Sequence, residues 1–187
     1  MRRIQSLYLA GPDLWYPDAD AHLERQRLIA DQQGFAVLEP SSLAAEVRDA
    51  GELAARAMYA ERISRLRRAD AGIVNLTPFR GPAADSATTF EMGFLAGLNK
   101  PLVGWINLGD ELEAEYRERV EAWMGARPDD AGVWRDGEEC EIEDLGLPEA
   151  TMLWAELRRL FVIVTDDPMH DLTGFGMCLE ALRMYAD

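Results

Sequence analysis

Ala71-Gly72-Ile73-Val74-Asn75-Leu76, followed by Thr77-Pro78-Phe79-Arg80-Gly81-Pro82-Ala83-Ala84-Asp85, is a mostly apolar run of strand length that breaks into a loop rich in Gly and Pro. A run of that length closed by turn residues suits a buried strand. The stretch from about Ser86 to Leu98 reads as a helix ended by Asn99-Lys100-Pro101, and Leu102-Val103-Gly104-Trp105-Ile106 is the next apolar run. Strand, helix, strand in that order is a crossover between parallel strands. The alternation extends toward the N-terminus. Leu7-Tyr8-Leu9-Ala10, closed by Gly11-Pro12-Asp13, reads as a strand, and residues 19–33, with Ala21, Leu23, Leu28 and Ile29 among charges, read as a surface helix stopped by Gly34. Phe35-Ala36-Val37-Leu38 supplies a strand before Pro40, and Glu52 to Arg68 places Leu53, Ala57, Met58, Ile63 and Leu66 at mostly helical spacing.

The expected fold class is α/β: a single-domain Rossmann-like, flavodoxin-like parallel sheet of about five strands flanked by helices. Ligands of such sheets sit beyond the carboxyl ends of the strands, so the loops after the first and third strands should form the site. Residues 110–149 differ in character, with fifteen Asp or Glu against four Arg. Asp110 to Trp123 reads as an acidic helix, Gly125 to Gly146 as a loop or a pair of short strands, and the charges as a solvated face. Residues 150–163 and 176–186 read as closing helices, with Val162-Ile163-Val164 as a fifth strand in the alternative. No internal repeat or low-complexity segment is evident. The expected organisation is one domain over 1–187.

The chain has 187 residues, 48% of them hydrophobic, enough for one sizeable core. Its formal charge of −15 repels phosphate backbones and anionic lipid headgroups, so neither a nucleic acid nor a membrane surface is an expected partner. The basic start Met1-Arg2-Arg3 precedes an apolar run too short for a signal-peptide core, and no window approaches the ~20 apolar residues of a membrane span. A cytoplasmic protein with reduced cysteines is expected. Two cysteines, Cys140 and Cys178, and two histidines, His22 and His170, cannot make a zinc cluster of the usual spacing, and the acidic segment lacks the regularity of a calcium loop. No G-x-G-x-x-G spacing follows Gly11 and no P-loop lysine motif is present, which disfavours nicotinamide and nucleoside-triphosphate chemistry. No metal or cofactor is expected.

The densest chemical signal runs from Asp85 to Pro101. Asp85 stands at the helix start, either as a cap for the exposed N–H groups or as a carboxylate reaching over an opening that Glu91 borders. Glu91, among Phe90, Met92, Gly93 and Phe94, interrupts a stretch that would otherwise be buried. It either points outward onto an arginine or is a carboxylate withdrawn from water for a purpose. Gly93 and Gly97 read as small residues that let the helix approach the sheet.

These features together resemble the nucleoside 2-deoxyribosyltransferase family across nearly the whole chain. The resemblance rests on Tyr8-Leu9-Ala10-Gly11-Pro12, on Ala69-Asp70 to Leu76, on Phe79 to Pro82, on Asp85 through Pro101, and on Ile142 through Leu153. It implies an enzyme of nucleotide salvage that cleaves the N-glycosidic bond of a 2′-deoxynucleoside and passes deoxyribose to another base. Glu91 would be the nucleophile, giving a covalent glutamyl intermediate, with Asp85 at the departing base and Tyr8 beside the nucleophile. Gly11, Pro12, Trp15, Phe79, Arg80, Ser86 and Thr88 would line the substrate site, Trp15 packing on the base. Expected partners are a nucleoside and a nucleobase, and a homo-oligomer, dimer or higher, is implied by sites completed at subunit contacts.

Three positions depart from the family pattern. Ala87 stands where the signature has glycine, Arg62 where the family usually carries aspartate, with Glu61 adjacent as a substitute, and Ala150 where the late motif has asparagine. Two other readings therefore stand beside the transferase: an N-glycoside hydrolase of nucleosides or nucleotides, with Ser86, Thr88 and Thr89 at a helix N-terminus as a 5′-phosphate site, and a catalytically weakened nucleoside-binding domain.

Overall fold

The computed structural model describes residues 4–38, 51–110 and 113–186; Arg2, Arg3 and Pro40 of the reading above lie outside them. Strands β1 (Ser6–Ala10), β2 (Ala36–Val37), β3 (Ala71–Asn75) and β4 (Leu102–Leu108) form where the apolar runs stand, with helices α1 (Ala19–Gln32), α2 (Glu52–Arg68) and α3 (Ser86–Gly97) between them. After β4 come α4 (Tyr116–Met124), the antiparallel pair β5 (Ala126–Pro128) and β6 (Trp134–Asp136), a one-turn α5 (Thr151–Trp154), β7 (Leu160–Val164) and α6 (Thr173–Ala186). The main sheet is parallel throughout, in the order β2-β1-β3-β4-β7. That is the flavodoxin-like order, whose switch point lies between β1 and β3.

Side chains alternate across each strand and so feed two separate cores. Leu7, Leu9, Ile73, Val103 and Trp105 face α1 and α6, where Ala30, Phe175, Leu179 and Leu182 cover them. Tyr8, Ala10, Val74, Leu102 and Ile106 face α2 and α3, against Ile63, Leu66, Met92 and Leu95. Tyr8 thus points into the layer that carries Glu91.

Several expectations are corrected. Residues 150–163 are not a closing helix: only Thr151–Trp154 turns helical, and Leu160–Val164 pairs with β4, which is the strand alternative made longer. The last helix begins at Thr173 rather than 176. Two early glycines hide its start, and Gly174 is there because a Cβ would stand 2.6 Å from Trp105. Gly93 and Gly97 are exposed, with nothing within 4 Å of an added Cβ, so neither lets α3 approach the sheet. Gly72 on β3 does, since a Cβ there would meet Leu95 at 2.6 Å and Leu102 at 2.7 Å. The acidic helix is shorter than read, its described turns starting at Tyr116, whereas Gly125 to Gly146 does hold two short strands. Among the described residues the acidic segment has one buried carboxylate, Glu149, which lies on Arg119. No helix among the described residues is long and apolar enough to cross a membrane.

Candidate active site

Glu91 lies in the second turn of α3, on the side turned to β1 and α2, and is only 5% exposed. The Tyr8 hydroxyl donates to its Oε1 at 2.7 Å, and Nη1 of Arg62, from α2, donates to the same oxygen at 3.2 Å. Both of these bonds fall on Oε1, and Oε2 accepts none from the described residues. Burial pushes the Glu91 carboxyl above the ordinary carboxylate range; the Tyr8 bond and the Arg62 charge oppose that rise, and the neighbouring Asp85 charge adds to it. Burial, and then the Glu91 charge, raise the Tyr8 hydroxyl far above its usual range, so it remains a donor.

Beside Glu91 opens a cleft of about 450 Å3. Its far wall is one stripe of α2, where Ala55, Met58, Tyr59, Arg62, Ile63 and Leu66 recur at three- and four-residue spacing. Trp15, Ala87, Phe90 and Glu91 complete it. Glu91 and Arg62 are the charged groups among the described lining residues, so the carboxylate meets its ligand in largely apolar surroundings.

The other residues singled out from sequence sit around this opening in different ways. Trp15, 41% exposed, ends a single 3-10 turn (Pro12–Trp15) after β1. The Arg80 guanidinium covers its ring at 5.5 Å and the Phe79 ring at 4.8 Å, so these three side chains join the loops after β1 and β3 at the mouth. Arg80 adopts a left-handed φ of 59° to do so. Gly11 serves the frame: a Cβ there would stand 2.1 Å from Asp13 Oδ2 and 2.8 Å from Asn75 Cβ. Pro12, buried beside it, opens the 3-10 turn.

Asp85 caps α3. Its Oδ2 accepts from the backbone N–H of Ala87 at 3.0 Å and of Thr88 at 3.2 Å. The Thr88 hydroxyl is turned to that carboxylate and buried, and Ser86 is exposed with its carbonyl accepting from the Thr89 hydroxyl. The donors at this helix start are therefore already engaged by a carboxylate, which leaves an added 5′-phosphate poorly served there. Asp85, Gly11, Pro12, Phe79, Arg80, Ser86 and Thr88 do not line the cleft itself; Trp15 and Glu91 do. Glu61 does not stand in for an aspartate at position 62, because it turns outward to Arg65 at 2.9 Å. Ala150 starts α5, its N–H donating to Glu149, away from the cleft.

The sequence reading missed two parts of the site. One is the α2 stripe, whose Ala55, Met58, Tyr59 and Arg62 were legible as a single helical face. The other is Asp13, 5% exposed, which accepts from Gln26 at 2.9 Å and Asn75 at 3.0 Å and meets His22 Nε2 at 2.9 Å. This network ties the loop after β1 to α1 and to the end of β3. No group of three or more His, Cys, Asp or Glu among the described residues is placed to hold a metal ion.

Residues 7–152 match the family model described as nucleoside 2-deoxyribosyltransferase. The chain belongs to the nucleoside 2-deoxyribosyltransferase family. Over 129 residues it is 30% identical to an uncharacterized protein of Schizosaccharomyces pombe; the match takes in 66% of this chain and 61% of that protein, so the chain spans less than two thirds of that relative's length. Among solved structures it is similar to a 2-desoxiribosyltransferase from Leishmania mexicana, with a TM-score of 0.63 at 24% identity over 94% of this chain and 97% of the other. A conserved protein from Enterococcus faecalis gives a TM-score of 0.51 at 11% identity over 97% and 99%. At these identities the two structures show the shared deoxyribosyltransferase-like fold, and substrate and chemistry must be argued from this chain's own cleft.

Proposed function

We propose that this chain is a nucleoside 2-deoxyribosyltransferase working through a covalent intermediate on Glu91. The observation that carries the reading is the buried Glu91 carboxylate, held through Oε1 by Tyr8 and Arg62 on a residue that lines the cleft. In the first displacement Oε2 attacks C1′ of the 2′-deoxynucleoside from the face opposite the base. A C–O bond forms, the C1′–N bond breaks, and its electron pair leaves with the base. The departing ring nitrogen takes a proton from the Asp85 carboxyl, which is left as a carboxylate. In the second displacement the nitrogen of an incoming base attacks C1′, the ester C–O bond breaks, and the acceptor gives up its proton to the same carboxylate. Two inversions at one carbon give net retention. Trp15 offers a face on which the base packs, with Arg80 and Phe79 closing the mouth above it. The partners are thus a nucleoside and a free nucleobase, and a homo-oligomer belongs to the same proposal.

The Arg62 contact favours a second reading, a nucleoside-binding protein of low turnover. A guanidinium on the nucleophile stabilises its charge in the ground state, which attack on C1′ must then overcome. Incubating the full chain with deoxyinosine, with and without adenine, separates the outcomes. The expected products with adenine are deoxyadenosine and hypoxanthine in equal amounts. Hypoxanthine released at the same rate without adenine would replace transfer by hydrolysis. Binding of deoxyinosine with no product in either arm would sink the enzymatic reading and leave the second one.

A further inference from the structure

The basic residues are unevenly placed for a chain of net charge −15. Arg80 apart, the described arginines and lysine that make no ion pair with a described residue are Arg67, Arg68, Lys100, Arg158, Arg159 and Arg183. All of them stand at the end of the sheet opposite the Glu91 cleft. Arg67 and Arg68 end α2, Lys100 precedes β4, Arg158 and Arg159 precede β7, and Arg183 lies in the last turn of α6. The C-terminal dipoles of α2 and α6 account for Arg67, Arg68 and Arg183. They do not account for Arg158, which follows the single turn of α5 and leads into a strand. Cations gathered without carboxylates repel one another, and a bound anion relieves that repulsion.

Lys100 and Arg158 border one cavity of about 310 Å3 at this end. Asn99 turns the chain out of α3 with a left-handed φ of 55°, and the Lys100 ammonium that follows donates to the Arg67 carbonyl at 3.3 Å. Two of its three protons have no described acceptor. The Arg158 guanidinium lies over the Tyr185 ring at 5.0 Å, which holds its planar fork in place, and no described acceptor takes its N–H groups. Asp70 also lines the cavity, but its Oδ2 is turned to the start of β1. There it accepts from the N–H groups of Gln5 at 3.1 Å and Ser6 at 3.0 Å and from the Ser6 hydroxyl at 2.9 Å, so its charge is spread over three donors. Ile4, Leu98 and Pro101 make another part of the wall apolar. We infer that this cavity binds a small phosphate-bearing molecule, its phosphate on Lys100 and Arg158 and its organic body against Ile4, Leu98 and Pro101. The two cations divide the work: the ammonium is a compact point charge, and the guanidinium fork matches two phosphate oxygens. A polyanion is repelled by the rest of the surface, so the ligand is a small molecule rather than a nucleic acid. The site lies away from the Glu91 cleft, and the inference does not depend on the transferase reading.

Isothermal titration of the full chain with ribose 5-phosphate, inorganic phosphate and ribose tests this at low ionic strength, where screening is weakest. Both phosphate compounds are expected to bind, and ribose is not. Tighter binding of ribose 5-phosphate identifies an ester as the ligand and equal binding the free ion; either result supports the site. Arg158→Gln and Lys100→Met, each alone, are expected to weaken both phosphate compounds about tenfold in Kd with unchanged far-UV circular dichroism, since each removes one of two cations. Arg62→Gln, which removes the cation of the Glu91 cleft, is expected to leave that binding unchanged. No heat from either phosphate compound at millimolar concentration, or binding indifferent to both cavity variants, would overturn the assignment. So would binding lost in Arg62→Gln and kept in Arg158→Gln, which would place the phosphate in the Glu91 cleft instead.

Discussion

Glu91 combines burial with the need for charge, and the balance sets its pH behaviour. As the proposed nucleophile the carboxylate must be ionised, so kcat/KM is expected to fall as pH drops through its pKa, and burial places that limb above the roughly 4.3 of a free glutamate. Arg62 contributes a cation 3.2 Å from Oε1. Arg62→Gln is therefore expected to move the acid limb of kcat/KM further up in pH; an unmoved or lowered limb would show that the guanidinium does not act on the nucleophile. The same shift has a sign for stability. A carboxyl whose folded pKa exceeds its unfolded value binds its proton more tightly when folded, so stability falls as pH rises between the two values and the cost persists above both. Glu91→Gln removes that cost while keeping an acceptor for Tyr8. It should abolish transfer yet melt no lower than wild type at pH 7.5, with the difference closing as pH falls below the folded pKa. A clearly lower melting temperature would mean that the Arg62 pair outweighs burial. At this scale the sequence exposed residues that break a pattern, Glu91 within an apolar helix above all. Asp13 escaped because its partners Gln26 and Asn75 lie 13 and 62 residues away, and no local pattern marks a turn aspartate as buried.

Helix α3 carries the proposed nucleophile, and Asp85 both starts the helix and faces the leaving group in the proposed chemistry. Two substitutions separate these roles. Asp85→Asn keeps a side-chain oxygen for the Ala87 and Thr88 N–H groups, so stability should change by only a few tenths of a kcal/mol while poor leaving bases slow more than good ones. Asp85→Ala loses the cap too and should cost about 1 kcal/mol in urea unfolding. If both variants slow all bases alike, the carboxylate is a cap and nothing more. The elements themselves were largely legible, because each of β1, β3 and β4 is an apolar run punctuated by Gly, Pro or Asn, and burial on both faces keeps such runs continuous. Where the reading failed, tertiary contact had overridden local pattern. Leu160–Val164 followed a helix-like Trp154–Arg159 and was merged with it, though a turn ends helix α5 after four residues. The glycine that brings α3 onto the sheet is Gly72, on the strand and not the helix, and only the Leu95 and Leu102 side chains that fill its place reveal this.

Across the whole molecule the acidic residues are densest in the segment 110–149, whose fifteen Asp or Glu against four Arg read as solvated surface, and for most of its described carboxylates exposure agrees. Arg119 and Glu149 are the exception, with side chains 2% and 0% exposed. The Arg119 guanidinium donates to the carbonyls of Pro82 at 3.0 Å, Glu113 at 3.0 Å and Pro148 at 2.7 Å, and to Glu149 Oε2 at 3.2 Å. One side chain thus fastens the loop bearing Phe79 and Arg80 to the start of α4 and to the segment entering α5, three stretches with no strand in common. Burial lowers the Arg119 pKa and raises that of Glu149, each opposed by the other's charge, so the pair survives only as a pair. Arg119→Met should therefore cost about 3–5 kcal/mol, leaving one buried carboxylate and three carbonyls without their donor. Adding Glu149→Met removes the stranded charge, and the double variant should regain part of that loss while the carbonyls stay unpaired. Urea midpoints of the two variants decide the matter. A single variant within about 1 kcal/mol of wild type would mean that water reaches these groups, and a double variant no better than the single would mean that the carbonyls, rather than the ion pair, hold the mouth of the cleft together.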